Sequence, residues 1–195
     1  MAYIYLIRHA KTVMNIEGKW QGINDSSIPD ESMAHFRKRI SFFKDKDIKG
    51  IYSSCLARSI RSATEAASIL DVDQIEALRG FNERDLGLMD GKTNEQIREA
   101  FGIVDIFIGS RSIERIPMVE PWPDFVDRVM KTLDKFKNRD RSLVVTHGGV
   151  MRAIYNTLTG SNERRVIFDN GYIMKLEFSD SWRISEIIGS NFDPI

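Results

Sequence analysis

Short apolar runs alternate with stretches of helical periodicity along this chain, and a chain so patterned folds as a mainly parallel sheet with helices on both faces. Residues 2–8, 48–53 and 142–146 read as strands, and 74–78 as a further candidate. A helix opens at Pro29 and Asp30 and carries Met33, Phe36, Ile40 and Phe43 at helical spacing. A second places Ile60, Ala63, Ala67 and Leu70 on one face, and a third, over 124–136, carries Phe125, Val129, Leu133 and Phe136. Thr93 and Gln96 have capping-box spacing, and another helix follows His147-Gly148-Gly149. Strands over 172–178 and 182–188, joined by Ser179-Asp180-Ser181, read as a hairpin. Between residues 103 and 123 neither period holds. The expected fold is a three-layer α/β/α sandwich.

Composition narrows the function classes. At 195 residues and 42% hydrophobic, the chain fits one domain over residues 1–195. Twenty-eight basic residues balance twenty-eight acidic ones, which argues against general nucleic-acid binding. A lone cysteine, Cys55, excludes an internal disulfide and a Cys-rich zinc site. Neither a signal-peptide pattern nor a bilayer-spanning apolar run is present, so the expected location is cytoplasmic, away from membranes. A homodimer is allowed, though nothing in the sequence specifies it.

Chemistry gathers at three strand ends. The first strand ends in Arg8 and His9, the second in Ser53 and Ser54 with Arg58 on the following helix, and the third in His147 before two glycines. Equivalent ends of parallel strands meet at one edge of a sheet, where such folds bind ligands. Two guanidiniums, two imidazoles and a helix N-terminus converging there make a receptor for a dianion. Taken alone, Arg8-His9 reads equally well as a surface dipeptide; it is the company of the other two strand ends that gives it weight.

In order along the chain, RHAKTVMN, WQGINDSSI, YSSCLARSIRSATEAA, NERDLGLMDG and VTHGGVMRA resemble the motifs of the histidine phosphatase superfamily, the phosphoglycerate mutase-like proteins. The resemblance implies a phosphoglycerate mutase-like fold and an enzyme acting on a small phosphorylated substrate. It implies that His9 is the nucleophile and becomes phosphohistidine. Arg8, Arg58 and His147 would surround the phosphoryl oxygens. Glu83 would protonate the leaving oxygen and then deprotonate water. Asn15, the Gln21-Gly22 backbone and Gly148 would help hold phosphate or substrate. Neither a metal nor another cofactor is implied for a phosphatase; a mutase would be primed by 2,3-bisphosphoglycerate.

Within the superfamily a phosphomonoester hydrolase is favoured. The stretch between Gly91 and Trp122 is shorter than in typical mutases, glycine follows His147-Gly148, and Leu86 stands where mutases usually have tyrosine. Asn82-Glu83-Arg84 is the mutase-like feature, so a cofactor-dependent phosphoglycerate mutase is the alternative. A catalytically weak phosphate-binding regulatory protein is a third reading, because Ala10 replaces the family's usual glycine. Lys92, Arg111 and Arg115 could meet a substrate carboxylate or be solvated charges. Ile103, Val104, Ile106, Phe107, Ile108 and Met118 could receive an apolar leaving group or be core. Glu120 and Arg128 are expected to hold the covering segment in place, Asp85 and Asp90 to be exposed or supporting, and His35 to be at the surface. Cys55 and Arg61 have the spacing of a cysteine-phosphatase loop, but the intervening residues lack glycine and read as helix. Cys55 is therefore expected to be a small buried residue near the site.

Overall fold

The computed structural model describes residues 2–161 and 167–189, so the ends of the 1–195 span lie outside the described residues. Among these, six strands form one sheet: β1 Ala2–Arg8, β2 Gly50–Ser53, β3 Ile75–Ala77, β4 Ser142–Thr146, β5 Ile173–Phe178 and β6 Trp182–Ile188. Their order is β3-β2-β4-β1-β5-β6, with the first four strands parallel, β5 antiparallel to β1 and β6 antiparallel to β5. The helices are α1 Val13–Ile16, α2 Asp30–Ile40, α3 Ala57–Leu70, α4 Asn94–Phe101, α5 Trp122–Leu133 and α6 Gly148–Thr159.

Alternation along the strands builds two cores. Tyr5, Ile7, Ile51, Leu143 and Val145 face α2 and α3, packing on Met33, Phe36, Ile40, Ala63 and Ala67. Ile4, Leu6, Val144, Met174 and Leu176 face the other way, onto Phe125, Val129 and Leu133 of α5 and Val150, Met151 and Ile154 of α6. The result is the expected α/β/α sandwich with a mainly parallel sheet. A third apolar cluster of Leu86, Met89, Ile97, Ile103, Ile113 and Ile116 forms a cap.

Three elements differ from their sequence reading. The second strand starts at Gly50, because Lys49 donates its amide to Arg141 outside the ladder. Helix α5 begins at Trp122, with proline inside its first turn, and its last turn tightens to a 3-10 turn over Asp134–Phe136. Ile60 is solvent-exposed, since the buried face of α3 runs through Arg58, Ser59, Ser62, Ala63, Ala66 and Ala67.

Register places the site. Arg8 of β1 stands opposite Thr146 of β4, and Ser53 of β2 opposite Val145. The residues that follow, His9, His147 and Ser54, therefore leave the sheet along one edge.

Candidate active site

His9 continues the β1–β4 ladder through its amide, which donates to the Thr146 carbonyl at 2.9 Å. Its ring is buried. Nδ1 lies 2.8 Å from the Ala10 carbonyl, which can only accept, so the proton sits on Nδ1. Nε2 is left with its lone pair, toward which the Arg58 Nε–H points at 3.2 Å. Burial, then Arg58 and Arg8, hold the His9 pKa well below the usual histidine value, so the ring is neutral near pH 7. A neutral imidazole with a directed lone pair is a nucleophile.

Arg58 is held on every side. Its Nη1 donates to the Asn24 carbonyl at 2.9 Å and to Asp25 Oδ1 at 2.8 Å, and its Nη2 to the Gly22 carbonyl at 2.6 Å. Asp25 also accepts the Ala57 and Arg58 amides, at 2.7 and 3.2 Å, capping α3 from thirty residues upstream. Arg8 is anchored by Nη1 to the Phe168 carbonyl at 2.7 Å, and its buried Nε has no hydrogen-bond partner among the described residues. Burial lowers both arginine pKa values, opposed by Glu83 and Asp169 around Arg8 and by Asp25 and Glu83 around Arg58.

His147 caps α6 and is fully buried, its ring centroid 5.1 Å from that of His9. Glu83 reaches the same place from the loop after β3. Its Oε1 accepts the Arg84 amide at 2.8 Å, and its Oε2 accepts the Gly149 amide at 2.9 Å, at the positive end of the helix. A Cβ on Gly149 would lie 2.1 Å from Glu83 Oε1, so the carboxylate holds this position only beside glycine.

A cleft of about 630 Å³ opens above this cluster, lined by Arg8, Glu83, Gly148, Gly149, Asn15, Gln21, Lys11, Lys19, Trp20, Phe107, Ile108 and Arg152, among others. His9, Arg58 and His147 are each at most 2% exposed and are not among the residues lining the cleft. Asn15 and Gln21 line the cleft but are tied to the framework: Asn15 accepts from the Thr12 amide and from Asn170, and Gln21 accepts from the Thr12 hydroxyl. Among the described residues no three His, Cys, Asp or Glu side chains are grouped to hold a metal ion.

Gly22 departs from its expected role. Its amide is already paired with Asp90 at 3.0 Å, and a Cβ there would meet the Arg84 carbonyl at 2.8 Å. Its carbonyl braces Arg58, so both of its backbone polar groups are engaged within the framework. Cys55 also departs: it is exposed. Lys92, Arg111 and Arg115 do not line the cleft, whereas Lys11, Lys19 and Arg152 do. Of the apolar covering residues, Ile103 packs in the cap, Phe107 and Ile108 line the cleft, and Val104 and Met118 are exposed. His35 is at the surface, and Asp90 braces the amides of Gly22 and Asn24. Asp85 is half-buried, its carboxylate accepting the Gly87 amide at 2.9 Å. Glu120 and Arg128 form a two-pronged ion pair, and Arg128 also donates to the carbonyls of Gly80, Asn82 and Glu83, which holds the Glu83 loop. Ala10, buried in the core with no positive φ, keeps its amide on Ser62 at 3.0 Å, so its methyl group sits without backbone strain.

Sequence reasoning missed three residues. Asp25 is distant from α3 in sequence, so no local pattern marks it as a cap. Ser54 stands at its strand end as expected, but its contact with His147, hydroxyl to Nε2 at 2.7 Å, has no signal in the sequence. Arg84 is fully buried and ties the cap to the site, bonding Glu114, the Glu120 carbonyl and the Ile108 carbonyl.

Comparison with known proteins gives the family and the fold. The chain is 28% identical to phosphoglycerate mutase-like protein 4 of Arabidopsis thaliana, over 94% of this chain and 83% of that one. It is 29% identical to a metal-independent phosphoserine phosphatase of the same plant, over 80% of this chain and 68% of the relative. The solved structure of Bacillus stearothermophilus YhfR superimposes with a TM-score of 0.86 at 20% identity, covering 95% of this chain and 96% of that one. The sequence model of the histidine phosphatase superfamily (branch 1) matches residues 4–187, which carry β1 through nearly all of β6 and every side chain of the buried cluster. The chain belongs to the histidine phosphatase superfamily.

Proposed function

We propose that this protein is a phosphomonoester hydrolase that works through phosphohistidine on His9 and acts on a small phosphorylated metabolite. The observation that carries the reading is the His9 ring itself: Nδ1–H is spent on the Ala10 carbonyl, and the Nε2 lone pair faces the Arg58 Nε–H, with the His147 ring centroid 5.1 Å from that of His9.

In the first step Nε2 attacks phosphorus and the bond to the leaving oxygen breaks, with a proton from Glu83 passing to that oxygen. In the second step a water attacks phosphorus, the P–N bond breaks, and Glu83 takes the water proton, restoring neutral His9 and releasing orthophosphate. Glu83 can serve because each carboxylate oxygen uses one lone pair on a backbone amide and keeps another free. Arg8, Arg58 and His147 neutralise the equatorial oxygens as charge shifts, and the two guanidiniums supply the positive charge that a metal would otherwise bring. Asn15, Gln21 and Gly148 line the route of the leaving group.

Two features favour water over a second substrate hydroxyl as acceptor. The cleft is open to solvent above Glu83. Arg84, part of the mutase-like Asn82-Glu83-Arg84 triplet, is turned into the cap and does not line the cleft.

The test is a panel of phosphorylated metabolites assayed in EDTA, with 3-phosphoglycerate isomerisation in the presence of 2,3-bisphosphoglycerate run alongside. Metal-independent release of phosphate with little isomerisation is expected. Rapid isomerisation would favour the mutase, and activity abolished by EDTA would overturn the mechanism.

A further inference from the structure

The two buried histidines sit 5.1 Å apart, yet their partners hold opposite nitrogens. On His9 the partner is the Ala10 carbonyl, at Nδ1. On His147 it is the Ser54 hydroxyl, 2.7 Å from Nε2.

A serine hydroxyl can donate once and accept twice. The Ser54 oxygen already accepts the Leu56 amide at 3.3 Å, and the Ser54 amide donates to Ser59. Among the described residues, the acceptor within reach of the Ser54 hydroxyl proton is His147 Nε2. If Nε2 carried the proton instead, that hydroxyl proton would have no partner in a fully buried site, which is costly. Nε2 therefore accepts, and the His147 proton lies on Nδ1. Nδ1 is itself buried and has no hydrogen-bond partner among the described residues.

We infer that Ser54 is a positioning residue that locks His147 as a neutral imidazole whose Nδ1–H is an unspent donor, reserved for an oxygen of the transferring group. The same side chain thus serves as nucleophile and as hydrogen-bond donor in one pocket, according to which nitrogen the scaffold occupies. The groups facing His147 agree with a neutral ring: Arg58 from α3, His9 and Arg8 from the end of β1, and Arg128 from α5 are all cationic or neutral, and burial acts in the same direction. Glu83, the nearby acid, has its oxygens on the amides of Arg84 and Gly149.

This inference rests on the phosphoryl-transfer reading for what the donor meets, but its test does not depend on turnover. The chain has three histidines, and His35 is exposed, so ¹⁵N-histidine spectra separate all three and His35 serves as an internal reference. At neutral pH His147 should show a protonated Nδ1 and an unprotonated Nε2. In Ser54→Ala the Nε2–H form should rise to a comparable population, Ser54→Thr should restore the original spectrum, and vanadate affinity should fall about tenfold in the alanine variant and recover in the threonine one. A wild-type His147 protonated on Nε2 would overturn the inference even if Ser54→Ala did not fold, and so would a tautomer unchanged in a folded Ser54→Ala. The expected spectra in a protein that hydrolyses no phosphate ester would leave Ser54 in this role and refute the proposed function instead.

Discussion

The Glu83 carboxylate rests on the first turn of α6, its Oε2 2.9 Å from the Gly149 amide, in space that exists only because Gly149 has no side chain. A single hydrogen bond thus ties the proposed proton donor to the helix that His147 caps.

Gly149→Ala follows directly. The added Cβ would lie 2.1 Å from Glu83 Oε1, so the carboxylate must swing away. A displacement of this size at a reacting group costs roughly 100-fold in rate. We expect kcat to fall by about that factor while the thermal midpoint moves by only a few degrees. A fully active, folded Gly149→Ala would show that Glu83 does not act from this position.

The His9 nucleophile predicts its own pH limb. Protonation removes the lone pair, and the His9 pKa is lowered by burial, Arg58 and Arg8. The acid limb of kcat/KM should therefore fall below the ordinary histidine value of 6.5. Stability follows the same sign. The unfolded chain takes up protons near that value and the folded chain only at lower pH, so the two buried histidines contribute fully above it and lose their contribution as pH falls below it. Urea melts between about pH 7.5 and pH 5 should show the loss, reduced in His9→Asn. That variant should have no turnover, and the acid-labile, alkali-stable phosphate carried by the wild type should be missing.

Asp25→Ala removes two supports together, the cap on α3 and the partner of a buried guanidinium. Loss of a helix cap costs about 1–2 kcal/mol, and leaving the buried Arg58 without its countercharge adds to it. A lower denaturation midpoint and a vanadate Kd raised about tenfold are expected. Asp25→Asn, which can still accept the helix amides, should recover stability more than affinity.

Cys55→Ser should leave kcat and KM within about twofold. The thiol is exposed and its amide is held by Asn82 at 2.8 Å, so the side chain has no part in the buried cluster. Complete loss of activity would point to thiol chemistry and away from His9.

The sheet and its strand ends were legible because alternation and apolar runs are local signals, and so Arg8, His9, Arg58 and His147 could be brought to one edge from sequence. What escaped was set by long-range bonds. Gly22 was expected to touch phosphate, but its amide is paired with Asp90, far along the chain. The capping role of Asp25 is invisible without the fold. Residues 103–123 show no period because most of the stretch is a cap built from short turns around the buried Arg84, not from a repeating apolar face. Cys55 was misplaced because it lies just before α3 begins, on the solvent side of the turn.

The Arg58 guanidinium, clamped by the carbonyls of Gly22 and Asn24 and by Asp25, has its geometry settled at folding rather than at binding. A host completed before its guest arrives recognises shape and charge alone. In a phosphatase built this way tungstate and arsenate fit the same cradle as the reacting group, and so does liberated orthophosphate. If the proposed hydrolysis holds, inhibition by its own product follows from that rigidity.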